Sequence, residues 1–351
     1  MKNNTRNICV LRLSALGDCI NAYGLICAMR KASENISVSW VIDSRFASLF
    51  IDSDGNELVN LIKADIKNQG LIKTFLNLKK QLKNKKFDSL LNIQTSIKAS
   101  IISLCIKAKT KIGYDKQRSR EGQRFFVDRI IDTPKDPHVL SGFLSFAKSI
   151  GLDNIQPQWD FKLTHNELAK ADELLDTDKK VFCISPASAK SIKNWTVDGY
   201  SSIANYAHTK GFEVVLLGSN AQKEKKLCAD IESRLSFKCK NLCGKTSLRE
   251  LCAVVSKSCL VLSPDSACMH LASALNIPVI GLFAIHNPNR VGAYNFRDIE
   301  ISVYEQEAAK ELKGANFSWR YRVKNENAMK NISVNDVIKA FDLAVSKYIE
   351  V

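Results

Sequence analysis

Short, almost wholly apolar runs alternate along this chain with longer segments whose apolar positions recur at helical spacing. Residues 8–13 read as a buried strand, Ile20, Tyr23, Gly24 and Cys27 fall on one face of a helix, and 38–42 reads as the next strand. Apolar strands separated by helices belong in a parallel sheet covered on both faces. The pattern continues with a strand over 87–93, a helix from about Ile97, a short strand near 111–114 and a helix over 139–150. Pro134, Pro137 and Pro157 punctuate the end of this half, and the polar stretch 164–180 holds a short helix leading into the next. There the alternation restarts, with strands over 181–185, 213–217, 259–262 and 279–283 and helices over 197–208, 222–235, 248–256 and 266–275. The last segment is amphipathic: Val334, Val337, Ile338 and Phe341 stand at i, i+3, i+4 and i+7, and Ser333 with Asp336 resembles a capping box.

A chain of 351 residues exceeds what one core usually fills. The expectation is two α/β, doubly wound, Rossmann-like domains facing each other, over 1–165 and 178–332, followed by a closing helix over 333–351. The formal net charge of +15 calls for an acidic partner, whether nucleic acid, a phosphorylated sugar donor or an anionic membrane surface. Neither an RNA-binding aromatic pattern nor a zinc-finger spacing occurs, so nucleic acid is not expected. The lysine run Lys79-Lys80-Gln81-Leu82-Lys83-Asn84-Lys85-Lys86 reads as the wet face of a helix. Eleven cysteines without a Cys-x-x-Cys pair fit buried, reduced thiols in a cytoplasmic protein. The first residues pass directly into a strand, and no apolar stretch approaches the roughly 20 residues of a membrane span. A soluble protein that at most touches a membrane surface is expected.

Two strand-to-helix turns carry the chemistry: Leu11-Arg12-Leu13-Ser14-Ala15-Leu16-Gly17-Asp18, and Ser263-Pro264-Asp265-Ser266-Ala267-Cys268-Met269-His270. In open α/β sheets ligands bind at such turns, where helix N-termini present N–H groups and positive dipole. Asp18 can be a helix cap or a general base, and the small residues Ser14 and Gly17 would let a substrate approach the backbone. In the second turn Asp265 and Ser266 would cap the helix while its N–H groups meet a diphosphate. His270 lies one turn on, as a ligand or as a packing histidine. The loop Ser185-Pro186-Ala187-Ser188-Ala189-Lys190-Ser191-Ile192-Lys193-Asn194-Trp195 offers N–H, hydroxyl and ammonium donors to phosphate oxygens. Its plainer reading is a surface loop whose Trp195 packs under a helix.

Together these stretches resemble glycosyltransferase family 9, the lipopolysaccharide heptosyltransferases. The matching residues are Ser14-x-x-Gly17-Asp18, Gln94-x-x-x-Lys98-x-Ser100, Lys111-Ile112-Gly113-Tyr114-Asp115, Lys193-Asn194-Trp195, Asn241-Leu242-x-Gly244-Lys245-Thr246-Ser247-Leu248, and Asp265-Ser266-x-x-x-His270-Leu271-Ala272. Asn287-Pro288-x-Arg290-x-Gly292-x-Tyr294 looks like the segment that follows in heptosyltransferase I-like members. The resemblance implies a GT-B fold whose C-terminal helix crosses back to the first domain. It also implies an inverting, metal-independent transfer of heptose from ADP-heptose to the Kdo-bearing inner core of lipopolysaccharide.

Carried over, Asp18 would deprotonate the acceptor hydroxyl. Ser188, Lys193, Ser266, Ala267 and His270 would bind the donor diphosphate, Lys193 also stabilising the leaving group, and Asp265 would lie on the nucleoside side. Ser14, Gly17, Gln94, Lys98 and Arg120 would meet the acceptor, a Kdo-lipid A. Two positions depart from the family: Ala267 replaces a glycine, and Gln222 stands where a ribose-binding carboxylate is expected, with Glu224 nearby as a substitute. No cofactor is implied beyond the nucleotide-sugar substrate. The implied place is the cytoplasm, with peripheral contact on the cytoplasmic face of the inner membrane. Alternative readings keep the reaction with another nucleotide sugar, or replace it with a GT-B-like nucleotide-sugar epimerase or a nonenzymatic polyanion-binding protein.

Overall fold

The computed structural model describes residues 5–175 and 178–349. Positions 1–4, expected to lead without a signal segment into the first strand, and 176–177 of the polar 164–180 stretch lie outside the described residues. The chain divides into two compact units, Met1–Lys162 and Leu163–Val351.

The first unit is built on six parallel strands: β1 (Arg6–Leu11), β2 (Ile36–Asp43), β3 (Asn60–Ala64), β4 (Phe87–Asn92), β5 (Ala108–Gly113) and β6 (Arg129–Ile130), in the order β3-β2-β1-β4-β5-β6. The central pair is registered with Leu11 opposite Asn92. The order reverses between β1 and β4, so the chain leaves these two strands in opposite directions and opens a crevice at their carboxyl ends. Helices Ile66–Gln81 and Ile97–Ser103 share one core with the sheet, in which Leu78, Leu82, Ala99 and Ile102 pack against Leu11, Val41, Ile62 and Leu90.

Helix Leu16–Ala32, which carries the first signature turn, is apolar almost all round and correspondingly buried. It is pinned from outside by the end of its own unit: Trp159 Nε1 donates to the Ile20 carbonyl at 2.7 Å and the Tyr23 hydroxyl to the Asp160 carbonyl at 2.6 Å. Gly24 makes that approach possible, since a Cβ there would stand 2.5 Å from the Trp159 ring.

The second unit repeats the plan with β7 (Val181–Ile184), β8 (Glu213–Leu216), β9 (Lys240–Asn241), β10 (Leu260–Pro264), β11 (Val279–Phe283) and β12 (Ile301–Ser302), ordered β12-β11-β10-β7-β8-β9. Counted from its own first strand, this is the order of the first unit, with the reversal between β7 and β10. Strands β3, β6, β9 and β12 were not expected from the pattern. Three of them span only two residues, too few for a period to register.

The expected short helix of the 164–180 stretch is His165–Leu174, and it belongs to the second unit. A capping box of Thr164 and Glu167 starts it, and the buried Glu167 carboxylate takes a two-pronged bond from Arg249, with Nε to Oε1 at 2.7 Å. The final helix, Val334–Tyr348, was expected to pack towards the first domain. Its apolar face is buried in the core of the second unit, where the Phe341 ring meets Phe182, Tyr206 and Phe212 at 5.2–5.8 Å between centroids. Such a side chain contributes about 1.5–3 kcal/mol on full burial, which explains why the stripe is spent here. Its start, which resembles a capping box in the sequence, is not one. The Ser333 hydroxyl accepts from the Asp336 N–H, but the Asp336 carboxylate accepts from that hydroxyl instead of reaching the backbone, being one methylene shorter than Glu.

Candidate active-site edges

In the first unit the crevice between β1 and β4 gathers Arg12, Ser14, Gly17, Asp18 and Gln94. Asp18 stands in the first turn of helix Leu16–Ala32, yet the helix has no side-chain cap at Ala15. The Asp18 carboxylate instead forms an ion pair with Arg12 and stays about one-third exposed. Arg12 is the more deeply set partner: it also donates to the Ile93 carbonyl at 2.8 Å and lies over the Phe143 ring at 5.6 Å. An arginine so anchored fixes where the carboxylate points.

Gln94, assigned to the acceptor, is engaged at both ends of its amide within the turn. Its Oε1 accepts from the N–H groups of Leu13 and Ser14 at 2.6 and 3.2 Å, and its Nε2 donates to the Ser14 and Ser96 hydroxyls at 3.4 and 3.1 Å. An amide with both ends engaged shapes the turn that presents Asp18.

Lys98 and Arg120 are both exposed, and the structure brings their segments together. Glu121 accepts from the Ile97 N–H at 2.8 Å, docking the loop after β5 on the start of helix Ile97–Ser103. Arg118, the neighbouring base in that loop, is buried on Asp115 at 3.3 Å and serves structure.

In the second unit the carboxyl ends of β7 and β10 bring Lys193 onto Asp265. The ammonium donates to the Asp265 carbonyl at 2.6 Å and to its Oδ2 at 3.0 Å. On the same oxygen sits His286, with Nδ1 at 2.6 Å; a carboxylate only accepts, so Nδ1 carries the proton. Burial pushes the Asp265 carboxyl up, but the His286 hydrogen bond and the charges of Lys193, His286 and His270 outweigh it and hold the group well below the usual carboxylate range.

The expectation that Asp265 and Ser266 cap the following helix is therefore corrected. Asp265 is turned to Lys193 and His286, and the Ser266 hydroxyl sits 2.7 Å from that of Ser263, so helix Ala267–Ala274 starts without a side-chain cap. Its first N–H groups, beginning at Ala267, face the end of β10 where an anion can meet them.

The remaining donor-side residues divide. Ser188 turns its hydroxyl into its own loop, donating to the Lys190 carbonyl at 3.0 Å. Trp195 lies under helix Val197–Thr209, with Nε1 bonded to the Ile332 carbonyl at 3.0 Å, as the plainer reading had it. Gln222 is exposed at the start of helix Gln222–Glu232, and Glu224 accepts from the Ser219 N–H at 2.6 Å, so part of its carboxylate holds the turn after β8.

An Asp-x-Asp pair, the usual spacing of a metal-held diphosphate, occurs at Asp52-Ser53-Asp54. There Asp52 accepts from the N–H groups of Asp54 and Asn56 at 3.0 and 2.8 Å and builds a tight turn. Among the described residues no group of three or more His, Cys, Asp or Glu could hold a metal ion, and no helix is long and apolar enough to cross a membrane.

Two residues of these edges were missed from the sequence, Arg12 and His286. Arg12 was within the quoted turn, and its signal was a charge between two buried leucines. His286 follows an apolar strand at its carboxyl end, the same placement that singled out Asp265.

The sequence profile of glycosyltransferase family 9 (heptosyltransferase) matches residues 75–321. The chain is 41% identical over 335 residues to the lipopolysaccharide core heptosyltransferase OpsX of Haemophilus influenzae, covering 95% of each. In structure it resembles a family 9 glycosyltransferase from Veillonella parvula, with a TM-score of 0.80 at 21% identity over 99% of both chains. It also resembles the E. coli heptosyltransferase WaaC solved with ADP, with a TM-score of 0.73 at 18% identity over 96% of this chain and 99% of that one. These two likenesses establish the fold, GT-B. The chain belongs to glycosyltransferase family 9, the heptosyltransferases.

Proposed function

We propose that this enzyme transfers a heptose from ADP-heptose to the Kdo-bearing inner core of lipopolysaccharide, with inversion and without a metal ion, working beside the inner membrane that carries its acceptor. The observation that carries the reading is the 41% identity along nearly the whole of a lipopolysaccharide core heptosyltransferase. The two switch points supply complementary roles.

The first unit takes the acceptor and the second the donor. The acceptor hydroxyl oxygen attacks the anomeric carbon as its proton passes to the Asp18 carboxylate. The bond from that carbon to the diphosphate oxygen breaks, and ADP leaves with the electron pair. A single displacement of this kind inverts the anomeric centre. Arg12 aims the carboxylate, and Lys98 and Arg120 meet the acidic groups of the acceptor.

Charge grows on the departing diphosphate, where the uncapped N-terminus of helix Ala267–Ala274, Lys193 and His270 stabilise it. Asp265 holds Lys193 in place, its own charge offset by that ammonium and by the His286 hydrogen bond, so the helix N-terminus keeps its positive end towards the phosphates. These donors do the work a divalent cation would do.

The test is Asp18→Asn. General-base help is worth about 10²–10⁴ in rate, so turnover with ADP-heptose and Kdo-lipid A should fall by that much while ADP-heptose binding by calorimetry stays within about threefold. Transfer at near-normal rate would remove Asp18 from the mechanism. Wild-type enzyme that releases no ADP from ADP-heptose in the presence of acceptor would overturn the reaction itself.

A further inference from the structure

The charge of this chain is concentrated. Over 66–130, sixteen Lys and Arg stand against four Asp and Glu, a net +12 of the chain's +15. Each of the four acids is already engaged: Asp88 with Lys109 at 2.7 Å, Asp115 with Arg118 at 3.3 Å, Glu121 with the Ile97 N–H at 2.8 Å and Asp128 with the Lys111 N–H at 2.8 Å.

The same segment holds five of the six large apolar side chains left exposed among the described residues. They are Ile72, Leu76, Ile97, Leu104 and Phe125, and Phe125 is 90% and Ile72 79% exposed. These positions are not scattered. Helices Ile66–Gln81 and Ile97–Ser103 cover one face of the sheet and share a core, which leaves their outer sides on a common surface. The turn Gln123–Phe126 adjoins the second helix, where Glu121 ties it to Ile97. Within the first helix Ile72 and Leu76 stand one turn apart, flanked by exposed Lys73, Lys79 and Lys80.

Cations in such excess over acids seek an anionic plane, and exposed aliphatic and phenyl groups among them need an apolar medium just beneath it. A nucleic acid satisfies only the first demand, because isolated isoleucine and leucine side chains find no partner on a phosphate backbone. We propose that this outer face of the first unit, led by Phe125, Ile72 and Leu76, docks on an anionic lipid bilayer, with its apolar tips among the upper acyl chains and its lysines at the headgroups. The docking stands on the surface alone. Its use rests on the proposed reaction: Lys98 and Arg120 adjoin the same face, so a lipid-carried acceptor reaches them without leaving the membrane.

The experiment is co-sedimentation of the full chain with vesicles of phosphatidylcholine alone and with about 30% phosphatidylglycerol. Binding should need the anionic lipid and weaken at high salt. The triple variant Ile72→Ser, Leu76→Ser, Phe125→Ser should bind at least about tenfold more weakly, with an unchanged melting temperature and unchanged transfer to a deacylated, water-soluble acceptor. No binding to the anionic vesicles, wild-type binding by the triple variant, or a preference for a DNA duplex over the vesicles would each overturn the proposal. Because the vesicle assay contains no substrate, failure of the transfer reaction leaves its result standing.

Discussion

At the scale of single residues, both switch points work by fixing a charge with another charge. Asp18 is aimed by an arginine anchored on the Ile93 carbonyl, and Lys193 is aimed by a carboxylate that His286 holds from the other side. On the proposed reaction His286 acts as a positioning residue through Asp265, and its removal should leave Asp265 free to swing with Lys193. His286→Ala is expected to raise KM for ADP-heptose and lower kcat/KM by about tenfold, the loss of one charge-assisted hydrogen bond. His286→Asn, whose amide can also donate to Oδ2, should recover part of it. Equal loss in both variants, or a fall in melting temperature without a change in KM, would make the histidine merely structural. Asp18, Lys193 and Asp265 stand out in the sequence because each follows a small-residue turn after an apolar strand, and His270 because it lies one helical turn further on. Their partners do not: Arg12 meets Asp18 only through the path that one turn takes, and His286 meets Asp265 only when β11 lies beside β10.

At the scale of elements, the strand–helix alternation was readable wherever a strand had four or more apolar residues, and the observed bounds fall within a few residues of those expected. What it hid was how loops are held. The donor loop after β7 is anchored by Trp195, which passes so close under helix Val197–Thr209 that a Cβ at Gly199 would stand 2.5 Å from its ring. Gly199→Ala should force the indole aside at a cost of about 1–3 kcal/mol. In thermal unfolding that corresponds to about 3–9 °C in Tm, with donor affinity reduced because Lys193 sits two residues before the tryptophan. A variant as stable as wild type would show that this packing does not position the loop. The last helix teaches the same lesson. Its apolar stripe was plain, but the surface that takes it was a matter of shape, since Phe341 fits among Phe182, Tyr206 and Phe212.

At the scale of the whole molecule, two properties follow from how residues are distributed between inside and outside. Charge collects on one segment, with the consequence for a membrane surface argued above. Cysteine does the opposite: all eleven are free, nine are buried, and Cys27 and Cys259 are half-buried. Burial pushes nearly every thiol up, Cys105 and Cys239 to about 11 and Cys252 and Cys268 to about 12, so little thiolate exists at neutral pH to react. A thiol-reactive chromogen should therefore titrate the native enzyme slowly, with at most the two half-buried groups reacting early, and should reach eleven in denaturant. Rapid reaction of more than two would mean that a core opens readily.

The sequence by itself determined the α/β class, the two-fold repetition of the fold, the sites of the chemistry-bearing turns and the family, because these are written in local period and in short ordered motifs. Tertiary structure alone decided which charges meet. Hydrophobic period is a property of neighbours along the chain, whereas the Arg12–Asp18 contact depends on how one turn folds back on its strand, and the Lys193–Asp265–His286 contacts on β7 and β11 flanking β10. Nor does the sequence show that the Gln94 amide makes four hydrogen bonds around the turn that carries Asp18.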